Sequence, residues 1–189
     1  MRKLVVTQMM SLDGVVEAPG GEEGYTHSGW VFPFVSDEYL QCKLGEVKEA
    51  EIHLLGRKTY ESFAEAWPNR KDDAGFADKM NSMRKVVVST TLKDPSWNNT
   101  SVISDDVKNK IQQLKDEDGD GTILVAGSRT LINFLKENEL IDEYRLLIYP
   151  VILGSGMRLF KETADMNKLE LVSSETFSNG VLNLIYKTK

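Results

Sequence analysis

The chain is expected to fold as an α/β protein, with a mostly parallel central sheet, an antiparallel C-terminal edge and flanking helices. Two observations predict this. First, a strand-like apolar run breaks three times into glycine, hydroxyl and basic residues and then resumes as a helix. The breaks are Ile52-His53-Leu54-Leu55 into Gly56-Arg57-Lys58-Thr59, Val86-Val87-Val88 into Ser89-Thr90-Thr91, and Ile123-Leu124-Val125-Ala126 into Gly127-Ser128-Arg129-Thr130. Successive strand–helix units of this spacing pair as parallel strands. Second, residues 144–152, 169–177 and 181–187 are β-rich, and Ser178-Asn179-Gly180 between the last two is a hairpin signal, which adds an antiparallel edge.

The elements follow in order. Residues 4–10 are β-compatible and lead into Ser11-Leu12-Asp13-Gly14, a turn, so the chain opens on a buried strand. Residues 17–36 hold four glycines and two prolines, with Tyr25, Trp30 and Phe32 as aromatic anchors. A loop of that length in a compact domain is expected to act as a lid. Ser36 caps a helix whose first turn holds Asp37 and Glu38 and whose apolar positions are Leu40, Leu44 and Val47. Residues 64–75 read as a polar surface excursion. Ser104 is placed as the cap of a helix carrying Val107, Ile111 and Leu114, which ends in the acidic segment 116–121. A strand at 122–126 and a helix with Leu131, Ile132, Phe134 and Leu135 complete the parallel part. With no shift of composition along the chain, residues 1–189 read as one domain.

The 189 residues are 41% hydrophobic, enough for one sizeable core. A formal charge of -6, with no basic stripe, removes the electrostatic basis for non-specific nucleic-acid binding. A single cysteine, Cys42, excludes an internal disulfide framework and a cysteine zinc cluster. His27 and His53 stand outside any metal-binding pattern, so no metal is expected. No signal peptide or spanning segment is read, and the expected setting is the cytoplasm, away from membranes.

In a parallel sheet the three breaks fall on one edge, at the C-terminal ends of the strands, where such folds bind ligands. Helix N-termini there offer unpaired N–H groups and a positive dipole end. Arg57 and Lys58 are an ordinary exposed helix start or the lining of an anion site. Because bases are the wrong sign for a positive helix end, the anion reading is favoured, with a nucleotide as the first candidate. Ser89-Thr90-Thr91 reads equally as the cap of a turn, and Ser128 as the cap of a helix.

In order and spacing, Val5-Val6-Thr7 with Ser11-Leu12-Asp13-Gly14, Leu55-Gly56-Arg57-Lys58-Thr59-Tyr60, Val86-Val87-Val88-Ser89, Leu124-Val125-Ala126-Gly127-Ser128 and the run from Pro150 to Phe160 resemble the dihydrofolate reductase-like superfamily. Ser11-Leu12-Asp13-Gly14 and Pro150-Val151-Ile152-Leu153-Gly154-Ser155-Gly156 are most similar to the reductase domain of the bifunctional riboflavin-biosynthesis deaminase-reductase, the RibD C-terminal family.

The resemblance implies a sheet of about eight strands, NADPH as cofactor, and hydride transfer to a small heterocyclic or sugar-linked substrate, similar to 5-amino-6-(5-phosphoribosylamino)uracil reductase. It implies that Gly56, Arg57, Lys58 and Thr59 hold cofactor phosphates, that Ser89, Thr90 and Thr91 face its adenosine half, and that Gly127, Ser128, Arg129 and Thr130 face its pyrophosphate. Met9 and Val16 would lie near the nicotinamide, and Ser11, Asp13 and Trp30 near the substrate, with Asp13 as the candidate catalytic acid. A homodimer is implied as well. The helix carboxylate of true dihydrofolate reductases would fall near Leu40, and the zinc deaminase signature of the bifunctional enzymes is absent. The alternatives are therefore a non-catalytic NADPH-binding module and, less favoured, dihydrofolate reduction.

Overall fold

The structure, a computed structural model, describes residues 1–163 and 166–189. Its strands are β1 (Leu4–Ser11), β2 (Ala50–Gly56), β3 (Arg84–Val88), β4 (Thr100–Ile103), β5 (Thr122–Ala126), β6 (Glu143–Tyr149), β7 (Leu169–Thr176) and β8 (Leu182–Thr188). They form one sheet in the order β4-β3-β2-β5-β1-β6-β8-β7. β1 to β6 run parallel. β8 is antiparallel to both β6 and β7, which makes the expected C-terminal edge.

The helices are α1 (Asp37–Glu49), α2 (Arg57–Ala66), α3 (Phe76–Ser82), α4 (Val107–Asp116) and α5 (Arg129–Glu137). They cover both faces of the parallel part. Side chains alternate across a strand, so Leu4 and Val6 of β1 join one core with Ile123, Val125, Ile111 and Ile132, while Val5 joins another with Leu55, Val87, Leu124, Val47 and Tyr60. A strand covered on both sides reads as an unbroken apolar run, which is why β1 and β5 were legible.

Four local features differ from expectation or refine it. No helix follows Ser89-Thr90-Thr91; the chain passes through a loop into β4 and only then reaches α4. The stretch after the polar excursion forms α3, whose first amides, Phe76 N and Ala77 N, donate to the Asp72 carboxylate at 2.9 and 2.6 Å. Ser104 does not cap α4; the N-cap is Asp106 in the left-handed region, φ 43°, with no side-chain cap bond. Ser36 does cap α1, accepting from Tyr39 N at 3.3 Å.

Residues 17–36 are anchored. They contain a short 3-10 turn, Phe32–Phe34, and bury Trp30 and Val31 against Leu147, Tyr149, Phe177 and Val181. The Trp30 and Tyr149 rings meet edge to face at 5.2 Å, and Trp30 Nε1 donates to Glu17 O at 2.8 Å. At the β7–β8 hairpin, Phe177 N donates to Val181 O at 2.8 Å, and Gly180 takes the φ of 86° that the tight turn needs.

Candidate functional site

Because β1, β2, β5 and β6 are parallel, Ser11, Gly56, Ala126 and Tyr149 all end at one edge of the sheet. β2 and β5 are neighbours, so the β2–α2 and β5–α5 corners lie side by side, and one hydroxyl joins them. Ser128 Oγ accepts from Gly56 N at 2.9 Å and donates to Thr59 Oγ1 at 2.8 Å. A Cβ at position 56 would lie 2.9 Å from that oxygen, which accounts for the glycine. Ser128 sits at φ 62°, the conformation glycine favours, with its side chain spent on the neighbouring corner. Thr59 accepts from Ser128, which leaves its own hydroxyl proton for another acceptor.

Neither helix head is neutralised from within. α2 starts with Arg57 and Lys58, α5 with Arg129, and neither has an acid in its first turn or a side-chain cap. Arg57 pairs with Glu61 at 2.8 and 3.1 Å across an exposed surface. Such pairs contribute about 0–1 kcal/mol, so an incoming anion can displace it. Beside Arg57 is a cavity of about 330 Å³ lined also by Ser89, Thr90, Thr91 and Ser104. Ser89 is buried, and its hydroxyl accepts from Thr91 N and Leu92 N at 3.1 and 2.9 Å. The structure thus brings Arg57 to Ser89, Thr90 and Thr91, and Gly56 and Thr59 to Gly127 and Ser128. Lys58 and Thr130 are exposed in the first turns of the two helices.

The residues expected near nicotinamide and substrate are arranged differently. Met9 packs with the aromatic cluster around Trp30 and Tyr149, whereas Val16 belongs to the core beneath α5. Ser11 is fully buried; its hydroxyl donates to Asp13 Oδ1 at 2.7 Å and accepts from Val15 N at 2.8 Å. Asp13 also accepts from Leu153 N at 3.1 Å and Gly154 N at 2.9 Å. The Ser11 hydroxyl first, opposed by desolvation and then aided by these two amides, holds the Asp13 pKa down at about 2. Ser11, Asp13 and Trp30 therefore all direct their polar atoms into the protein's own frame.

Leu40 is 52% exposed, so the helix position counted for a catalytic carboxylate faces out. Glu38 accepts from Ser178 N and Oγ at 2.9 and 2.6 Å. The first-turn residue that faces β1 is Tyr39, whose hydroxyl donates to Met9 Sδ at 3.7 Å. Below it, Lys43 donates to Thr7 Oγ1 at 2.6 Å and Glu46 Oε2 at 3.0 Å, and Thr7 donates to Glu46 Oε1 at 3.0 Å. Burial raises the Tyr39 pKa, with Lys43 opposing it, so the phenol stays protonated at neutral pH. Sequence reasoning passed over Tyr39, Lys43 and Glu46, although their spacing of four and three residues places them on one helix face.

No helix among the described residues is long and apolar enough to cross a membrane, and no group of three or more metal-ligating side chains occurs among them. The sequence profile of the RibD C-terminal domain matches residues 2–183. The uncharacterized protein YyaP of Bacillus subtilis is 27% identical over 188 residues, covering 98% of this chain and 94% of that protein. A Shewanella sp. PV-4 protein assigned to riboflavin biosynthesis superposes with a TM-score of 0.74 at 17% identity over 99% of both chains. The diaminohydroxyphosphoribosylaminopyrimidine deaminase/5-amino-6-(5-phosphoribosylamino)uracil reductase of Thermotoga maritima gives 0.67 at 15% identity, covering all of this chain but 57% of the bifunctional one. These two likenesses establish the shared fold.

Proposed function

The chain belongs to the RibD C-terminal domain family, and from that premise we propose that it is an NADPH-dependent reductase delivering hydride to an electrophilic carbon of a small heterocyclic or sugar-linked substrate. The activity is similar to the uracil-reductase activity named for the Thermotoga protein. One observation carries the reading: two adjacent helix heads, both basic and uncapped and tied at Ser128, open at the same sheet edge as the Arg57 cavity. Residues and group fit. A dinucleotide offers a pyrophosphate for the helix heads and, in the 2′-phosphorylated form, a third anion for Arg57.

The bound cofactor would supply the hydride. The protein's own residues do the rest. Arg57, with Ser89, Thr90 and Thr91, receives the adenosine end and its phosphate, while Gly56, Lys58, Thr59 and the amides following Gly127 and Ser128 receive the pyrophosphate. Arg129 and Thr130 flank the same helix head. Met9 and Val16 frame the nicotinamide end, and residues 17–36, pinned by Trp30, exclude water from it. Ser11 and Asp13 shape the substrate end. With three donors and a pKa of about 2, Asp13 holds no proton to deliver at neutral pH, so in this reading it acts through the backbone it orders. The same reading takes the protein as a cytoplasmic homodimer. Exposed Leu171 and Val172 on the edge strand β7 support pairing, and a monomer mass by sedimentation would remove that part.

The test is a thermal-shift titration with NADPH and NADH. A ligand at about a hundred times its dissociation constant adds roughly 2.7 kcal/mol, or about 5–10 °C for a chain of this size. The expected result is a clear shift with NADPH, a smaller one with NADH, and a loss of that difference in Arg57→Ala. No shift with either nucleotide would overturn the reading. The commitment of Asp13 and Glu38 to backbone contacts favours one other reading, an NADPH-binding module without catalysis. Continuous oxidation of NADPH with the phosphoribosylaminouracil as acceptor would dispose of it.

A further inference from the structure

We propose that Asp13 and Glu17 are positioning residues for Arg129. Two carboxylates from the β1–α1 connection clamp the loop 153–158, and the last carbonyl of that loop holds the Arg129 guanidinium at the head of α5. Asp13 Oδ1 and Oδ2 accept from Leu153 N and Gly154 N at 3.1 and 2.9 Å, and Glu17 Oε2 accepts from Met157 N at 2.8 Å. Tyr25 donates its hydroxyl to Ser155 O at 2.7 Å, and Val16 N donates to Met157 O at 2.8 Å. The clamped segment ends at Arg158, whose carbonyl accepts from Arg129 Nε.

The loop needs such a clamp. Ser155, Met157 and Arg158 are exposed, and Gly154 and Gly156 sit at φ 76° and 111°, where glycine has the greatest freedom to lose. Arg129 in turn depends on the loop. Asn133 Nδ2 holds the Arg129 and Leu159 carbonyls, each at 2.8 Å, which fixes the backbone but leaves the guanidinium to Arg158 O. Among the described residues no carboxylate lies within ion-pair distance of Arg129. A long cationic side chain held through Nε by a neutral carbonyl keeps both terminal nitrogens for an anion. The functional meaning of this chain of contacts rests on the reading of the α5 head as a cofactor-phosphate site. The contacts themselves do not.

The ligand-free protein supplies the first test. The Arg129 Nε–H resonance, assigned by its loss in Arg129→Lys, is expected to be distinct and slowly exchanging. It should move to the solvent-exposed position and exchange rapidly in Asp13→Ala and Glu17→Ala, and partly so in Asp13→Asn, which keeps one acceptor oxygen. A resonance unchanged in all three folded variants overturns the inference. So does an equal change in Met80→Ala, a destabilising substitution in the core around Val5, Leu55 and Val87, which holds no residue of the loop or its clamp, because that would mark a merely structural role. The second test is the NADPH dissociation constant. Arg129→Ala is expected to weaken binding about tenfold. Asp13→Ala is expected to weaken it about fivefold, with the double variant no weaker than Arg129→Ala alone. Multiplied losses would overturn the coupling. If the wild type binds no NADPH, the reductase reading fails, and the resonance still decides the positioning role.

Discussion

At the scale of single residues, the site turns on one hydroxyl. Ser128 Oγ accepts from the half-buried amide of Gly56 and also orients Thr59, so Ser128→Ala removes an acceptor from one donor and leaves one hydroxyl unfixed. The expected loss is about 1–3 kcal/mol in urea unfolding. Gly56→Ala should cost a similar amount by driving a Cβ against the same oxygen, and it should be relieved in part when Ser128 is simultaneously replaced by glycine. An unchanged midpoint in Ser128→Ala would show that the tie does not form. The sequence located this position as part of a strand–helix corner, with a cap as the competing role. The bond across to β2 was not legible, because it joins residues 72 apart and depends on which strands are neighbours.

At the scale of elements, legibility followed the length and periodicity of the apolar signal. β1, β2, β5 and the hairpin strands were read because their apolar runs are long or alternate, and α1 and α5 because a cap or an apolar face marks them. β4 was missed. It has four residues, Thr100-Ser101-Val102-Ile103, too few for a period to emerge. α3 was missed for another reason: its capping carboxylate, Asp72, stands four residues before the first amide it binds, outside the usual cap position. Asp72→Ala is therefore expected to destabilise the protein, with the loss of amide-exchange protection centred on α3. Full protection there would refute the assignment. α1 shows the limit of counting along a chain. The position aligned by number was Leu40, but a helix turns 100° per residue, and the inward side chain is its neighbour Tyr39.

For the molecule as a whole, the buried centre of the sheet carries a pH dependence. His53, in the middle of β2, is 1% exposed with neither ring nitrogen hydrogen-bonded, and burial first, then the neighbouring Lys85, lowers its pKa from 6.5 to about 3. The unfolded chain thus binds a proton below about pH 6.5 that the folded chain refuses until about pH 3. Stability is full above that window and falls as the pH drops through it, by up to about 1.4 kcal/mol per pH unit. His53→Leu should flatten this slope and remove two unpaired nitrogens. An identical acid-unfolding profile would show that other groups set it. Asp13 contributes in the same direction over a lower range, its clamp persisting until the pH approaches 2.

The strand order also has a consequence for what the edge can select. β2 and β5 are neighbours in the sheet although α2, α3, β3, β4 and α4 separate them in the chain, and Ser128 bolts the two helix heads together. Neither head can shift without dragging the other, so the gap between them is a set length. In the proposed cofactor site the edge would work as a calliper, sorting ligands by the distance between their charges before the chemistry of any one contact is felt.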